Sequence, residues 1–364
     1  EINRKLNQME VLINEVYNKA LYNNETLSPQ LLKNRYKNRL NNNQDGTKKG
    51  SDTNVKQSLI EFFEGFISSK QDSIHKNTLK TYKQCLKGLK DYEIHNNKLL
   101  EFEDIDLTFY DNYVKFLESS KDYKPSTIAK HIKLLKAVMN RALDNGMTKN
   151  SKHKSSNFTA KGEENTEVYL NEEEIKRLED KNLAFNKKYD MVRDIFLIGY
   201  YTGQRYSDYS IFSKKDIVNI DGVDYIKIIQ TKNYKNKKTI HCPITKEMKK
   251  IMKKYNNDFP PKVSSKHINE NIKFIAKCCK IDNEIKVEYT KGGVKHKEYV
   301  PKYKLIGTHT ARRSFASNKY KAGMSTYDIM FFTGHTTEKE FYKYIRIKDE
   351  ERVSNIAKSG YFNL

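Results

Sequence analysis

The sequence predicts a mainly α protein with a small antiparallel β-sheet, organised as several domains. Apolar residues recur at three- and four-residue steps over most of the chain, which is typical of amphipathic helices. Runs of β-branched residues are confined to a short part of the second half, so we expect the sheet to be small. The 364 residues also exceed one domain of about 100–200 residues.

The charge balance indicates the class of partner. The chain contains 68 Lys and Arg against 46 Asp and Glu, which gives a formal net charge of +22, and its sequence pI is about 9.5. Such an excess predicts a polyanionic partner, with nucleic acid as the first hypothesis and an acidic membrane surface as the second. A proteome rich in Lys and Asn is the alternative explanation.

Composition also bears on location and on metal binding. No stretch approaches the roughly 18–20 consecutive apolar residues of a membrane span, and the mean hydropathy is −0.85. The start lacks the order of a secretory signal and has no initiator Met, so we expect a trimmed cytoplasmic chain. The cysteines show no zinc-type spacing, and we predict reduced packing residues and no metal site. They are Cys85, Cys242, Cys278 and Cys279.

The N-terminal segment, residues 1–54, is expected to hold helices and an exposed connection. From Glu1 to Asn23 the apolar residues recur at helical spacing, and a second short helix is predicted from Pro29 to Leu40. The stretch from Asn41 to Thr53 is polar and turn-rich without an apolar period, which is typical of an exposed connection. We therefore place a domain boundary after residue 54.

Residues 55–147 predict a compact all-α domain. They contain four helical patterns, each beginning near a Ser, Thr, Asn or Asp that can cap it, and Pro125 stands just before the last one. The patterns are LIEFFEGFISSK, NTLKTYKQCLKGLKDY, DLTFYDNYVKFLES and STIAKHIKLLKAVMNRALDNG.

The last of these helices has two chemically different faces. Its apolar positions are Ile128, Ile132, Leu135, Val138 and Met139. Its basic positions, which we predict to contact DNA phosphates, are Lys130, His131, Lys133, Lys136 and Arg141. A solvated face explains the same charges about as well.

A linker and a second large domain follow. Residues 148–166 have no apolar period and predict an interdomain linker, and residues 167–364 form the next domain. LNEEEIKRLED and YDMVRDIFLIGYYTG predict helices, the second ending at Gly203. VDYIKIIQ and KKTIHCPI predict strands, and EIKVEYTKGGVKHKEYV predicts a hairpin that turns at its two glycines. Helices resume at about Thr310.

Three short stretches place reactive residue types next to predicted helix ends: TGQRYSD, HTARRSFA and TGHTTEKEFYKYI. In the first, Arg205 and Asp208 are three residues apart, so the carboxylate can fix the guanidinium if a helix starts there. In the second, His309 and Arg312 can project from the first turn of a helix, whose N-terminus favours an anion. In the third, His335 follows a glycine and precedes a tyrosine-rich segment.

These residue types suit phosphoryl transfer without a metal ion. Paired guanidinium groups can hold the non-bridging oxygens of a phosphodiester and neutralise the charge that develops in the transition state. A tyrosine can supply the nucleophile, and an imidazole or an ammonium can protonate the leaving oxygen. Each residue alone carries little weight, whereas their order and spacing are specific.

The order R…HxxR…GH…Y resembles the tyrosine recombinase (phage integrase) family. The matching residues are Arg205, His309, Arg312, His335 and Tyr344. Lys232 resembles the lysine of the family's β-hairpin, with Lys235, Lys237 and Lys238 as alternative registers. The resemblance covers residues from about 55 to 364 and is closest to integrases of Bacteroidetes mobile elements.

The resemblance implies a SAM-like helical core-binding domain followed by the tyrosine-recombinase catalytic domain. It implies a site-specific DNA recombinase (integrase) for integration or excision of a mobile element, acting through a 3′-phosphotyrosyl intermediate without a cofactor. The implied partners are double-stranded DNA with a specific core site, a homotetramer on paired sites, and accessory DNA-bending or excision factors. The implied location is the bacterial cytoplasm, at the nucleoid.

The resemblance also implies individual roles. Tyr344 is the nucleophile, Lys232 the general acid and His335 a supporting group. Arg205, His309 and Arg312 hold the phosphate. The N-terminal segment resembles the end of an arm-type DNA-binding domain.

Several alternatives stay open at this point. Gln204 and Asn233 depart from the family pattern, which usually has an apolar residue and a threonine there. Tyr342 rivals Tyr344, and on one helix the two would point about 200° apart, so only one could reach the phosphate. The tail from Ile347 to Leu364 could pack on its own or on a neighbouring protomer. A type IB topoisomerase and a non-catalytic DNA-binding regulator are the competing functions.

Overall fold

The computed structural model divides into two compact units, residues 1–164 with 289–296, and residues 165–288 with 297–364. It describes residues 2–22, 29, 32–33, 35–36, 58–160, 162–163, 166–231, 239–291, 294–342, 344–345, 353 and 357. The predicted helix from Pro29 to Leu40 falls mostly outside these residues, and the predicted connection from Asn41 to Thr53 falls wholly outside them. The tail from Ile347 is likewise outside except for residues 353 and 357.

The first unit is helical, as the periodicity predicts. Its helices are α1 (Ile2–Tyr22), α2 (Leu59–Lys70), α3 (Lys76–Asn96), α4 (Leu107–Ser119) and α5 (Pro125–Asp144). Ser58 caps α2 through its side chain in a capping box, and Asp106 caps α4. Proline occupies the first turn of α5, where its missing N–H is not needed. The four predicted helices between residues 55 and 147 are therefore confirmed.

The core of this unit lies between α2, α3, α4 and α5. Phe63, Leu89, Tyr113 and Leu117 are fully buried in it. Burying a side chain of this size contributes roughly 1.5–3 kcal/mol relative to leaving it exposed. The apolar face predicted for α5 is also buried in the same cluster: Ile128, Ile132, Leu135, Val138 and Met139.

The basic positions of α5 divide into two groups. Lys130, Lys133 and Arg141 are exposed, as a phosphate contact requires. The ammonium of Lys136 instead donates a hydrogen bond to the backbone oxygen of Phe158 at 2.7 Å. Lys130, Lys133 and Arg141 are therefore accessible to a DNA phosphate, whereas Lys136 is bonded within the unit.

His131 is a core residue, so the prediction that it contacts DNA is wrong. Its side chain is 3% exposed, and its Nδ1 lies 3.2 Å from the hydroxyl of Tyr113. The ring fits because Gly88 of α3 has no side chain, since a Cβ there would lie 2.8 Å from His131 Cε1. Burial lowers the pKa of His131 to about 4. A neutral ring packed between α3 and α4 cannot contact a phosphate.

The first part of the predicted linker belongs to the helical unit. Phe158 and His153 are fully buried, and Phe158 joins the core of the unit. The Asn150 side chain donates hydrogen bonds to the backbone oxygens of Phe102 and Ile105. Residues 148–160 therefore pack as an ordered extension of α5, and the linker was predicted to begin too early because buried loops carry no apolar period.

The second unit combines helices with a three-stranded sheet and the base of a two-stranded hairpin, whose residues 289–296 are grouped with the first unit. Its first helices are α6 (Glu172–Glu179), α7 (Lys187–Thr202), α8 (Tyr206–Tyr209), α9 (Lys246–Lys253) and α10 (Ser265–Cys278). The last three are α11 (Thr308–Lys321), α12 (Thr326–Thr333) and α13 (Glu338–Tyr342). The strands are β1 (Ile217–Ile220), β2 (Val223–Ile229), β3 (Thr239–Pro243), β4 (Glu284–Lys291) and β5 (Val294–Pro301).

The strands confirm the small sheet that the sequence predicts. β2 lies between β1 and β3 and pairs antiparallel with both, with Ile226 opposite Cys242. β4 and β5 pair with each other, and their turn at Gly292 and Gly293 lies outside the described residues. The strand β1 was not predicted from the sequence.

Helix α7 is the centre of the second unit. It is buried around most of its circumference, and α10 and α11 pack against it. Gly199 permits close packing, because a Cβ there would lie 2.7 Å from the ring of Tyr209. At the C-terminal end of α7, Gly203 packs directly on α11, where a Cβ would overlap the ring of Phe315.

Neither a membrane-spanning helix nor a metal-binding cluster is present among the described residues. No helix among them is long and apolar enough to cross a membrane. In the same residues, no group of three or more His, Cys, Asp and Glu side chains is arranged to hold a metal ion.

The buried His131 predicts a pH-dependent stability. Its folded pKa of about 4 lies below the value of about 6.5 expected when unfolded. Below pH 6.5 the unfolded state therefore binds a proton that the folded state does not, and stability falls until about pH 4. The loss is at most about 3 kcal/mol. Hydrogen exchange of the α5 amides, corrected for intrinsic rates, measures the free energy of opening of this helix. Between pH 7 and pH 4 this free energy should fall less in His131→Asn than in wild type. Equal falls in the two proteins would contradict the prediction.

Candidate active site

Two helices end at glycines in the left-handed conformation, and a predicted site residue follows each. Gly203 ends α7 with φ of 63°, and Gly334 ends α12 with φ of 66°. Glycine adopts this conformation without the steric penalty of a Cβ, so the chain turns sharply at both points. Arg205 and His335 lie one or two residues beyond these turns.

Arg312 connects the two turns. It lies on the first half of α11, and its side chain is 0% exposed. Its Nη1 donates to the backbone oxygen of Gly203 at 2.9 Å, and its Nη2 donates to the backbone oxygen of Thr333. Carbonyl groups at helix C-termini have no partner within their helix and carry partial negative charge. The buried guanidinium of Arg312 is therefore stabilised by the carbonyl groups at the C-terminal ends of α7 and α12.

His335 is held in one tautomer. The Thr333 hydroxyl donates to the backbone oxygen of Ile329 at 2.7 Å, so it must accept from His335 Nδ1, which lies 2.8 Å away. His335 Nε2 is then an acceptor and lies 3.3 Å from Arg312 Nη2. Burial first, then Arg312 and Arg205, lower the pKa of His335 to about 3. The imidazole is neutral at physiological pH.

Two buried N–H donors of the site have no hydrogen-bond partner among the described residues. They are Nη1 of Arg205 and Nε of Arg312. Burial first and Arg205 second lower the pKa of Arg312, while Tyr344 and Asp208 act in the opposite direction. Arginine nevertheless stays protonated in proteins. Two neighbouring cations with unused donors form a site for an anion with several oxygens, such as a phosphodiester.

Tyr344 lies beside these groups in the same chain. The centroid of its ring is 4.5 Å from that of His335 and 5.5 Å from Cζ of Arg312. Phe341, which is fully buried, anchors this segment, and Tyr344 N donates to the Phe341 backbone oxygen at 2.8 Å. α13 ends at Tyr342, so Tyr344 follows in a turn rather than on the same helix. Tyr342 is 39% exposed.

His309 completes the group from the start of α11. Its ring centroid lies 6.3 Å from that of Tyr344. The ring is at the exposed edge of the site. Partial desolvation, Arg313 and Arg312 lower the pKa of His309, and Glu167 opposes them. His309 can therefore act as a neutral hydrogen-bonding group at the rim.

Asp208 has a different role from the one predicted. Its Oδ1 accepts hydrogen bonds from the backbone N and the hydroxyl of Thr231, at 3.0 and 2.6 Å. It therefore ties α8 to the end of β2 instead of fixing the guanidinium of Arg205. The three-residue spacing alone could not reveal this, because the partner comes from a distant part of the sequence. Lys232, the next residue after Thr231, lies outside the described residues, as do Lys235, Lys237 and Lys238.

Sequence reasoning missed two buried amides at this site. Gln204 was noted only as a departure from a pattern, and Gln230 was not singled out. Both are buried, at 0% and 2% exposed. Gln230 Nε2 donates to Gln204 Oε1 at 2.8 Å and to the backbone oxygen of Thr333 at 3.2 Å. Their positions next to Arg205 and before Lys232 were the only available signal.

Two family models match most of the chain. The model of the phage integrase SAM-like domain matches residues 58–160. The model of the phage integrase family matches residues 168–351 and so spans both helix turns, α11 and Tyr344. No curated protein matches the chain.

Solved structures show the same fold at low sequence identity. The integrase of the Tn1549 transposon (residues 82–397), in complex with circular intermediate DNA, is 14% identical with a TM-score of 0.59, over 82% of this chain and 99% of that one. A lambda integrase (75–356) dimer bound to a COC′ core site is 16% identical with a TM-score of 0.58, over 78% and 93%. A lambda integrase tetramer bound to a Holliday junction is 16% identical with a TM-score of 0.56, over 88% and 89%.

The turn before His335 predicts a specific cost for a side chain at Gly334. A Cβ there would overlap the amide of Gln230, whereas a Cβ at Gly323 would meet no atom within 4 Å. Both glycines have positive φ, so Gly323→Ala measures the backbone strain alone. We expect Gly334→Ala to lower the free energy of unfolding of this unit by about 1–3 kcal/mol more than Gly323→Ala. Urea denaturation measures both; equal losses would show that the overlap is relieved.

Proposed function

Because the chain belongs to the phage integrase family of tyrosine recombinases, we propose that it is a site-specific DNA recombinase for integration or excision of a mobile element. The arrangement of Tyr344 beside Arg312, His335 and His309 of its own chain carries this proposal. It brings a phenol oxygen next to a buried cationic site with unused donors. That combination suits attack on a phosphodiester better than it suits passive contact with DNA.

The proposed reaction exchanges one phosphoester bond for another. The Tyr344 oxygen forms a bond to the scissile phosphorus, and the bond from phosphorus to the 5′ oxygen breaks. A 3′-phosphotyrosyl bond and a 5′-hydroxyl result. Attack by a 5′-hydroxyl of the partner strand then releases Tyr344 and completes strand exchange, so no external energy source is needed.

Each group of the site has a role in this reaction. Arg205 and Arg312 hold the non-bridging oxygens and neutralise the charge of the transition state, with His309 donating at the rim. Neutral His335, whose Nε2 is an acceptor, can receive the proton of Tyr344 once the bound phosphodiester compensates the charge of Arg205 and Arg312, which otherwise disfavours a protonated ring. Lys232 is the proposed general acid that protonates the 5′ oxygen. The residues themselves supply the charge and the protons that the transfer requires.

The proposed partners are double-stranded DNA with a specific core site and further copies of this chain. The net charge of +22 and the exposed Lys130, Lys133 and Arg141 support binding to DNA. Each cleavage uses one tyrosine, so exchange of four strands requires four protomers on two paired sites, with accessory factors helping to bend the DNA. The lambda integrase relative was solved as a tetramer on a Holliday junction. The Bacteroidetes subtype stays a prediction.

Covalent trapping tests the proposed chemistry. Nicked duplexes from the ends of the source mobile element, incubated without Mg²⁺, should give a protein–DNA adduct that survives denaturation. We expect Tyr344→Phe to abolish the adduct, because it removes the attacking oxygen, and Tyr342→Phe to retain it, because Tyr342 is the exposed neighbour. An adduct that survives in Tyr344→Phe, or tight binding without any adduct, would overturn the assignment; the latter would favour a DNA-binding regulator.

The salt dependence of binding tests the surface of α5. Each lost phosphate contact should reduce the slope of log K against log salt concentration by about 0.9. We expect this change for Lys133→Gln, whose side chain is exposed. The buried His131 provides the control on the same helix, and His131→Asn should leave the slope unchanged. Filter binding or fluorescence anisotropy across a salt series gives both slopes, and an unchanged slope in Lys133→Gln would exclude Lys133 from the DNA interface.

A further inference from the structure

We propose that Thr333 is a positioning residue that holds His335 in the tautomer able to take the proton of Tyr344. This inference rests on the proposed function, because it assigns the threonine a part in the first step of that reaction. Thr333 is the last residue of α12, directly before Gly334, and it is fully buried. Its hydroxyl does not touch the reacting atoms and acts only through the imidazole.

Two short contacts of the Thr333 hydroxyl determine which nitrogen of His335 carries the hydrogen. The hydroxyl oxygen lies 2.7 Å from the backbone oxygen of Ile329. A carbonyl oxygen has no hydrogen, so the hydroxyl hydrogen must lie between these two atoms. The same hydroxyl can then only accept from His335 Nδ1, which is 2.8 Å away. Nδ1 therefore carries the ring hydrogen, and the lone pair of the neutral ring is on Nε2.

Arg312 favours the same tautomer through the other nitrogen of the ring. A guanidinium has only N–H donors, and Nη2 of Arg312 lies 3.3 Å from His335 Nε2. The Tyr344 hydroxyl interacts with this guanidinium as well, and the centroid of the Tyr344 ring is 4.5 Å from that of His335. The lone pair of Nε2 and the phenol oxygen therefore lie beside the same group.

This arrangement gives the proton of Tyr344 a destination. As the phenol oxygen bonds to phosphorus, its proton moves to Nε2 of His335, while Nδ1–H continues to donate to Thr333. The ring becomes an imidazolium, whose charge the bound phosphodiester compensates. The 5′ oxygen leaves and is protonated as in the proposed reaction. In the other tautomer Nε2 carries a hydrogen, so it can neither accept from Arg312 nor take this proton.

The tautomer can be measured without DNA. NMR of the full-length chain, with histidine labelled at its ring nitrogens and His335→Gln to identify the signal, reports which nitrogen carries the hydrogen at pH 7. We expect hydrogen on Nδ1 in wild type and in Thr333→Ser, which keeps the hydroxyl. Thr333→Val removes the acceptor and leaves a buried N–H unpaired, so both tautomers should be populated. Hydrogen on Nε2 in wild type, or a Thr333→Val signal identical to wild type, would overturn the proposal.

A more acidic nucleophile tests the consequence for the reaction. Fluorine on the ring makes a phenol more acidic, so a fluorinated tyrosine incorporated at position 344 depends less on a base. With the natural tyrosine we expect Thr333→Val to form the adduct about 10–100-fold more slowly than wild type, and Thr333→Ser to stay within about threefold of it. With the fluorinated tyrosine in both proteins, Thr333→Val should come within about threefold of wild type. An equal deficit with the two nucleophiles would overturn the positioning role.

Thr202→Val provides the matched control. Thr202 is the last residue of α7, directly before Gly203, it is fully buried, and its hydroxyl donates to the backbone oxygen of Ile198 at 2.7 Å. It therefore makes the same helix-end hydrogen bond as Thr333 without holding an imidazole. Its loss should leave the tautomer of His335 unchanged and alter the two adduct rates by the same factor. No adduct by wild type, with hydrogen on Nδ1 of His335, would instead overturn the proposed function and the role of Thr333 with it.

Discussion

The buried guanidinium of Arg312 is the constraint around which the second unit is arranged. Placing a cation away from water costs several kcal/mol unless its donors are matched. Here two of the donor groups meet the backbone oxygens of Gly203 and Thr333, at the buried C-terminal ends of two helices whose dipoles are negative there. Satisfying one side chain therefore requires both helices to end at the same place. The left-handed glycines are needed because each chain must turn away immediately afterwards.

This arrangement leaves the site with positive charge that the protein does not neutralise. Arg205 and Arg312 each retain an N–H donor without a hydrogen-bond partner among the described residues. One oxygen of Asp208 accepts hydrogen bonds from Thr231. The pKa values of His309 and His335 are lowered. The histidines remain neutral first because burial disfavours their charged form, and second because a further cation beside the arginines is unfavourable. In the proposed reaction, an incoming phosphodiester would reverse this balance, since its oxygens would accept from the unused donors and its charge would compensate the guanidinium pair. The protein is organised for an anion before the anion arrives.

The sequence predicts much of this structure, and its errors have a common cause. Helical periodicity located α2 to α5 within a few residues, and the order of the motifs indicated that Arg205, Arg312 and Tyr344 would meet. Asp208 and His131 were misassigned because spacing along one helix shows which residues share a face but not what covers that face. Gln230 was not identified because the sequence does not distinguish a buried glutamine from an exposed one. Sequence periodicity shows which residues share a face of a helix or strand. The role of each polar residue on that face depends on the residues from distant segments that pack against it.

Gln204 and Gln230 join the ends of α7, α12 and β2 through hydrogen bonds, and the use of amides rather than charged groups there follows from the neighbouring arginines. A lysine in place of Gln204 or Gln230 could also donate to the backbone oxygens of Phe332 and Thr333, but it would add a cation beside Arg312 and lower the stability of the pair. A glutamate would supply no donor, and its charge would bind the guanidinium groups that the phosphate requires. An amide donates and accepts with no net charge, so it can connect the three segments while leaving the electrostatic field of the arginines directed at the substrate. Gln204 and Gln230 can therefore fix the geometry of the site without weakening the attraction of Arg205 and Arg312 for the proposed phosphate.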